Sequence, residues 1–304
     1  MTTGAAHSPA TRRRAWIAWA AVCLIWGTTY LGIKVALDTI PPFLMGGMRY
    51  LASGLILGAW LTARGHALPA RADWGKLAVL GFFMLMIGNG GVVWGEQFVP
   101  SGLTAVLIGT SPFWMVTVDS IFPGGRAMRA RQWMGLAIGF AGIVLLVWPD
   151  IARGGVGGHG FALGVISVQI ACVGWAFGSA YTRRHVMPGD LLGSAAVQMF
   201  FGGLIMTMAG TMTGEWSHLS FNLRTSVALA YLTLFGGAIA FSAFSYALGH
   251  LPIAIVSLYS YVNPVIAVIL GTLVLGEPFE LRMLLAAAVI VIGILTVGPT
   301  AVDH

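Results

Sequence analysis

The stretches Val99-Pro-Ser-Gly-Leu-Thr-Ala-Val-Leu-Ile-Gly-Thr-Ser-Pro112 and Leu251-Pro-Ile-Ala-Ile-Val-Ser-Leu-Tyr-Ser-Tyr-Val-Asn-Pro264 decide how this chain is read. Each places two prolines twelve residues apart, with the second deep in an apolar run and directly after a small polar residue, Ser111 or Asn263. A proline inside a helix removes one backbone bond and frees the carbonyl four residues earlier, here on Ile108 and Ser260. In hydrocarbon no water satisfies such a group, so it needs a protein partner or a wet cavity. A helix break in corresponding places of two halves points to a transporter binding site near the bilayer midplane. Pro112 and Pro264 are therefore expected to act as hinges.

Working outward, the composition agrees. Of 304 residues, 58% are apolar and 9% charged, far from the balance of a soluble domain. Ten apolar stretches, each long enough to cross a core about 30 Å thick, span residues 15–34, 42–61, 75–95, 102–122, 132–148, 160–181, 191–212, 225–248, 252–275 and 281–298. The first is too long for the apolar core of a signal peptide and nine more follow, so it reads as a retained span despite Arg12-Arg13-Arg14 before it. The expectation is an all-α membrane protein of ten transmembrane helices in the bacterial inner (plasma) membrane.

Lys and Arg set its orientation. With the N-terminus inside, eleven face the cytoplasm (Arg12, Arg13, Arg14, Arg64, Arg71, Lys76, Arg126, Arg129, Arg131, Arg183, Arg184). Four lie outside (Lys34, Arg153, Arg224, Arg282) and Arg49 lies within a span. The positive-inside rule puts both termini in the cytoplasm. The loops account for the net charge of +6, and a nucleic-acid partner has no basic folded face to bind.

A shift of about 151 residues superimposes the halves. Trp26-Gly-Thr-Thr-Tyr30 meets Phe177-Gly-Ser-Ala-Tyr181, Arg49-Tyr-Leu-Ala-Ser-Gly54 meets Gln198-Met-Phe-Phe-Gly-Gly203, and the proline pairs coincide. Five spans per unit is an odd number, so the two five-helix repeats must enter the membrane in opposite directions, as alternating access requires. The expected divisions are a cytoplasmic segment 1–14, a first repeat 15–148 (helices 1–5), an outer linker 149–159, a second repeat 160–298 (helices 6–10) and a cytoplasmic tail 299–304.

Candidate substrate-binding residues follow from scarcity and from pairing across the repeat. Arg49 is the deepest charge in a span, a position that is costly unless it faces a bundle interior or water. Its fork suits a carboxylate or phosphate, or alternatively pairs with Glu96 as scaffold. Gln198 is its repeat mate. Trp26 and Tyr30 share one face of the first helix with Lys34, and Phe177 and Tyr181 are their mates. These rings line a cavity or else pack helices. Asn89, among glycines, and Ser111, Tyr259 and Asn263, beside the prolines, complete the polar set. Glu96 is a candidate for proton coupling, against simple solvation at a helix end. Lys34 and Asp119 read as charges reaching toward the interface. Cys23 and Cys172 read as buried thiols. Gly54/Gly58, Gly135/Gly139 and Gly174/Gly178 have the spacing of close helix contacts.

No catalytic set, metal site or cofactor motif is evident. Gly155-Val-Gly-Gly-His-Gly160 matches a dinucleotide fingerprint by letter, but it follows a membrane span instead of a strand.

Ile25-Trp-Gly-Thr-Thr-Tyr30, Pro41-Pro42, Arg49-Tyr-Leu-Ala52, Gly88-Asn-Gly90, Glu96, Val99-Pro-Ser-Gly102, Ser179 with Tyr181, and Tyr261-Val-Asn-Pro264 through Gly276-Glu277 resemble the EamA family of the drug/metabolite transporter superfamily, in particular its YedA-like bacterial inner-membrane permeases. The likeness covers residues 15 to 298. It implies ten helices and outward movement or exchange of small metabolites, often amino acids and sometimes toxic compounds. One departure stands out: the family's Leu-Gly-Glu pattern is present at Glu277, whereas the first unit has Gly124-Gly-Arg126. The expected function is secondary export of amino acids or similar amphipathic solutes, with multidrug efflux as the alternative and a non-transporting sensor or enzyme as a more distant one. Oligomeric state is left open.

Overall fold

The computed structural model describes residues 9–121, 130–152, 159–185, 191–251, 256, 259–277 and 279–297. Pro252, Arg126, Arg129, Arg153, residues 155–158 of the glycine run, and most of the expected tails lie outside the described residues, as does the Asp119 side chain.

Every regular element among the described residues is helical. In the first half these are α1 (Pro9–Ala36), α2 (Pro42–Ala63), α3 (Trp74–Leu80), α4 (Gly90–Gly95), α5 (Ser101–Ile108), α6 (Ser111–Ile121) and α7 (Ala130–Ala152). The second half holds α8 (His159–His185), α9 (Leu191–Met212), α10 (Leu223–Tyr231), α11 (Ala240–His250), α12 (Tyr259–Leu275) and α13 (Leu281–Val297). Helices satisfy their own backbone within each segment, which is what an apolar surround demands. Starts are encoded locally. Pro42 opens α2, where a missing N–H costs nothing. Asn222 caps α10 by accepting from the Thr225 amide at 2.9 Å, while its own amide donates to the Thr225 hydroxyl at 3.2 Å.

Six helical spans among the described residues are long and apolar enough to cross a membrane: Ala10–Ala36, Pro42–Ala63, Arg71–Gly95, Gly160–Thr182, Leu191–Met212 and Leu223–Ala247. They are the first three helices of each expected unit. Some of the later helices are interrupted or shorter among the described residues. The fourth is split at Gly109–Thr110 into α5 and α6, and the apolar runs Val262–Leu275 and Leu281–Gly293 are shorter.

Packing is reciprocal between the halves. α1 lies against α11 and α12 of the second half, and α8 lies against α4 and α6 of the first. α2 crosses α9, and α7 crosses α13. The α2–α9 crossing is made by the two glycines the repeat alignment pairs. A Cβ on Gly54 would lie 2.6 Å from the Phe200 amide nitrogen, and one on Gly203 would overlap the Leu51 amide nitrogen. Gly139 meets Gly293 in the same way, whereas Gly58 has nothing nearer than the Ala196 methyl at 4.0 Å. The GxxxG reading thus holds for the first and not the second member of the Gly54/Gly58 pair.

The prolines differ. At Pro112 the helix breaks, and the Ile108 carbonyl accepts from the Ser111 hydroxyl at 2.7 Å. Pro264 instead sits inside α12, which continues through it.

A second duplication was not visible in the sequence. π-helical stretches join α3 to α4 at Gly81–Asn89 and α10 to α11 at Leu232–Ile239, starting 151 residues apart. Such turns are rare and favour functional sites. Side chains serve the carbonyls of both regions: Trp26 Nε1 donates to Gly236 O at 3.1 Å and Ser53 Oγ to Thr233 O at 2.8 Å. Asn89 Nδ2 donates to Met84 O at 3.1 Å and Ser167 Oγ to Gly91 O at 2.8 Å.

A candidate solute cavity between the halves

A central cavity opens where α1, α2, α8, α12 and the first π-helical stretch converge. Of the residues expected to bind solute, Trp26, Tyr30, Arg49, Asn89, Ser111, Tyr259 and Asn263 line it together. They come from five separate elements, so only the tertiary fold assembles them.

α1 contributes Trp26, Thr29, Tyr30 and Ile33, the one-face pattern of a helix. Trp26 stands in an aromatic cluster, edge-on to Trp175 at 5.8 Å and to Tyr259 at 5.0 Å, with Phe244 at 5.1 Å. Its Nε1–H is held by the Gly236 carbonyl, which fixes the ring. With its amide turned to satisfy its neighbours, Asn263 donates to the carbonyls of Cys23 at 3.0 Å and Tyr259 at 3.1 Å. Ser111 lies 3.4 Å from the Cys172 sulfur, which is also in the cavity wall.

Arg49 carries the only formal charge among the described residues of the wall. It is 2% exposed, and its Nε and Nη1 have no hydrogen-bond partner. The guanidinium lies over the Tyr50 ring, 4.7 Å from its centroid. A Cβ at Gly236 would come within 2.9 Å of Nη2, so the glycine in the second π-helical stretch makes room for the group.

The alternative expectation, an Arg49–Glu96 scaffold pair, finds no hydrogen bond between the two side chains. Glu96 is fully buried, yet neither carboxylate oxygen has a hydrogen-bond partner. The cation beside it is Lys34, whose ammonium donates to the Glu96 and Val99 carbonyls. Lys34 ties the end of α1 to the turn before α5.

Three expected residues lie elsewhere. Phe177 stacks on Phe83, centroids 4.6 Å apart, and faces α6. Tyr181 packs into an apolar cluster beside Leu77 and Val197. Gln198 donates to the Met84 sulfur at 3.4 Å, behind the first π-helical stretch. The reason for the first two is register. Trp175, two positions before Phe177 and so on a different face of α8, takes the cavity position. A shift of 149, the same that pairs Arg49 with Gln198, aligns Trp26 with Trp175 and would have found it.

Two further carboxylates went unrecognised as structural ties. Glu215, in the turn after α9, accepts from the Phe43 and Leu44 amides at 3.2 and 2.8 Å. Glu277 accepts from the Ser101 and Gly102 amides at 2.9 and 3.1 Å and from the Ser101 hydroxyl. Each places a negative group of the second half at a helix N-terminus of the first, where orphan N–H groups and the dipole favour it.

Comparison with known proteins assigns the chain. The profile of the EamA-like transporter family matches twice, over residues 14–148 and 162–298. The "Uncharacterized inner membrane transporter YedA" of Escherichia coli (strain K12) is 37% identical over 278 residues, covering 91% of this chain and 88% of that protein. The "Uncharacterized transporter YvbV" of Bacillus subtilis (strain 168) is 26% identical over 290 residues, covering 95% and 92%. A solved structure titled "Crystal structure of protein" shares the fold with a TM-score of 0.66 at 20% identity, covering 94% of this chain and 98% of that one. With two matched repeats, helices fit to cross a membrane and a buried cavity between the halves, the chain belongs to the EamA-like transporter family.

Proposed function

We propose that this protein is a secondary transporter of the bacterial inner membrane that moves small amphipathic metabolites, amino acids among them, outward by alternating access. The observation that carries the reading is the central cavity, whose wall combines aromatic rings, amides and one guanidinium drawn from both halves. Rings accept the apolar part of a solute and the polar groups orient it. In this reading ten helices form two inverted five-helix repeats with both termini cytoplasmic. The matched profiles and the reciprocal packing support that arrangement. The break at Pro112, with Pro264, supplies flexibility for switching. Glu96, buried beside Lys34 and close to the cavity, is the candidate for coupling proton movement to export. Efflux of cationic drugs would call for an acidic residue at the cavity, and none lines it among the described residues.

The test is efflux and counterflow from proteoliposomes loaded with a panel of amino acids and related metabolites, with and without a pH gradient. Saturable, protein-dependent movement of at least one such solute is expected. Movement no faster than in protein-free vesicles for the whole panel would overturn the transport reading.

A further inference from the structure

We propose that the cavity is a receptor for organic monoanions, carboxylates carrying an aromatic or other flat apolar body, with Arg49 as the anion-binding residue. This rests on the cavity being the transport site, and it narrows the solute to one charge class, ranking zwitterionic amino acids behind the anions.

The argument starts from electrostatics. An arginine cannot shed its proton, so a buried guanidinium needs partners for both its charge and its fork of donors. Arg49 is 2% exposed, and two of its three nitrogens have no hydrogen-bond partner. The Tyr50 ring supplies a cation–π contact but no acceptor. The nearby carboxylates do not take the role. Glu96 makes no hydrogen bond to Arg49, and Lys34 already lies beside it. Glu215 and Glu277 are committed to backbone amides. Arg49 Nε and Nη1 therefore stand unfilled at a wall with no acid among the described residues, which a carboxylate from the cavity would complete through a bidentate contact.

The same wall argues against other classes. A free ammonium, on a cation or a zwitterion, would meet Arg49 as a like charge with no acidic residue among the described residues of the wall to receive it. A phosphate dianion would exceed the single positive group. The aromatic cluster of Trp26, Trp175 and Tyr259 offers flat apolar surface for the remainder of the solute.

The experiment uses the full-length protein, purified and reconstituted, with three probes that share a phenyl-alkyl body: 3-phenylpropionate (anion), L-phenylalanine (zwitterion) and phenethylamine (cation). Binding is read from cavity tryptophan fluorescence and transport from efflux. 3-Phenylpropionate is expected to bind and move, phenylalanine at least about tenfold more weakly, and phenethylamine not measurably. Loss of a charge-assisted hydrogen bond, about 1.5–3 kcal/mol, predicts a roughly ten- to 150-fold weaker affinity for the anion in Arg49→Gln. Arg49→Lys should also be impaired, because an ammonium lacks the fork. Gly236→Ala keeps the arginine but crowds it, and should weaken anion binding even if Arg49→Gln fails to fold. Three results would overturn the inference: anion affinity unchanged in Arg49→Gln, anion affinity unchanged in Gly236→Ala, or phenylalanine or phenethylamine preferred over the anion. Saturable export of phenylalanine without the anion would sink the inference and leave the transport reading intact. No movement of any probe or of the metabolite panel would remove both.

Discussion

At the scale of single residues, buried charge in this protein falls into two kinds, committed and uncommitted. Glu277 is committed: its carboxylate receives two amides and a hydroxyl at the start of α5. Glu277→Ala should lower stability by about 1.5–3 kcal/mol, the range for hydrogen bonds to a charged group, read as an earlier thermal or denaturant transition in detergent. An unchanged transition would mean that water replaces the carboxylate at that helix end. Arg49 is uncommitted, and Glu96 makes no hydrogen bond to it. Adding Glu96→Gln to Arg49→Gln should therefore leave the loss of solute binding in place. A structural ion pair would instead show rescue, because removing both partners abolishes the uncompensated charge. The presence of Arg49 was legible in the sequence as a deep charge in an apolar span. Its lack of a partner was not, because pairing depends on how α2 sits against the turn that holds Glu96.

Among the helices, close approach and interruption do different jobs. The α2–α9 crossing needs glycine where backbones touch, so Gly54→Ala should be costly and Gly58→Ala nearly silent. At Gly54 the new Cβ meets backbone at 2.6 Å, which cannot yield by a rotamer change, while Gly58 has 4.0 Å of room. A cost of about 1–3 kcal/mol is expected for the former, measured by thermal unfolding of the two variants in the same detergent. Equal melting of both would count against a tight crossing. The two prolines also separate. Pro112→Ala should slow turnover per folded molecule more than Pro264→Ala, since only Pro112 stands at an actual break, with its freed carbonyl served by Ser111. Parallel efflux rates in proteoliposomes decide it, and equal slowing would restore a shared hinge role.

For the whole molecule, the reading with cytoplasmic termini predicts which end of the bundle each loop occupies. His66 and Ser217 are exposed at turns that follow α2 and α9. In a background lacking Cys23 and Cys172, a thiol introduced by Ser217→Cys should react with an impermeant reagent added to intact cells. One introduced by His66→Cys should react only after the cells are opened. The opposite pattern would invert the proposed orientation. The same end that holds Ser217 gathers the Lys34, Glu215 and Glu277 ties, and Glu215 and Glu277 join the halves there.

The sequence by itself determined the membrane class, six of the apolar spans, the two-unit repeat and the family, because these depend on composition and spacing along the chain. It also named seven of the cavity residues, through the scarcity of polar groups in apolar runs and the helical face shared by Trp26 and Tyr30. What it could not determine was whatever depends on rotation of one helix against another. A two-residue slip in the repeat register selected Phe177 and not Trp175, because two positions on a helix turn a side chain by roughly 200°. The paired π-helical stretches leave no composition signature, since their extra residue per turn is accommodated by contacts such as Trp26 on Gly236 and Ser53 on Thr233. The fate of each buried charge was decided by tertiary packing alone, because a charge is stabilised by what lies across the interface and not by its neighbours in sequence.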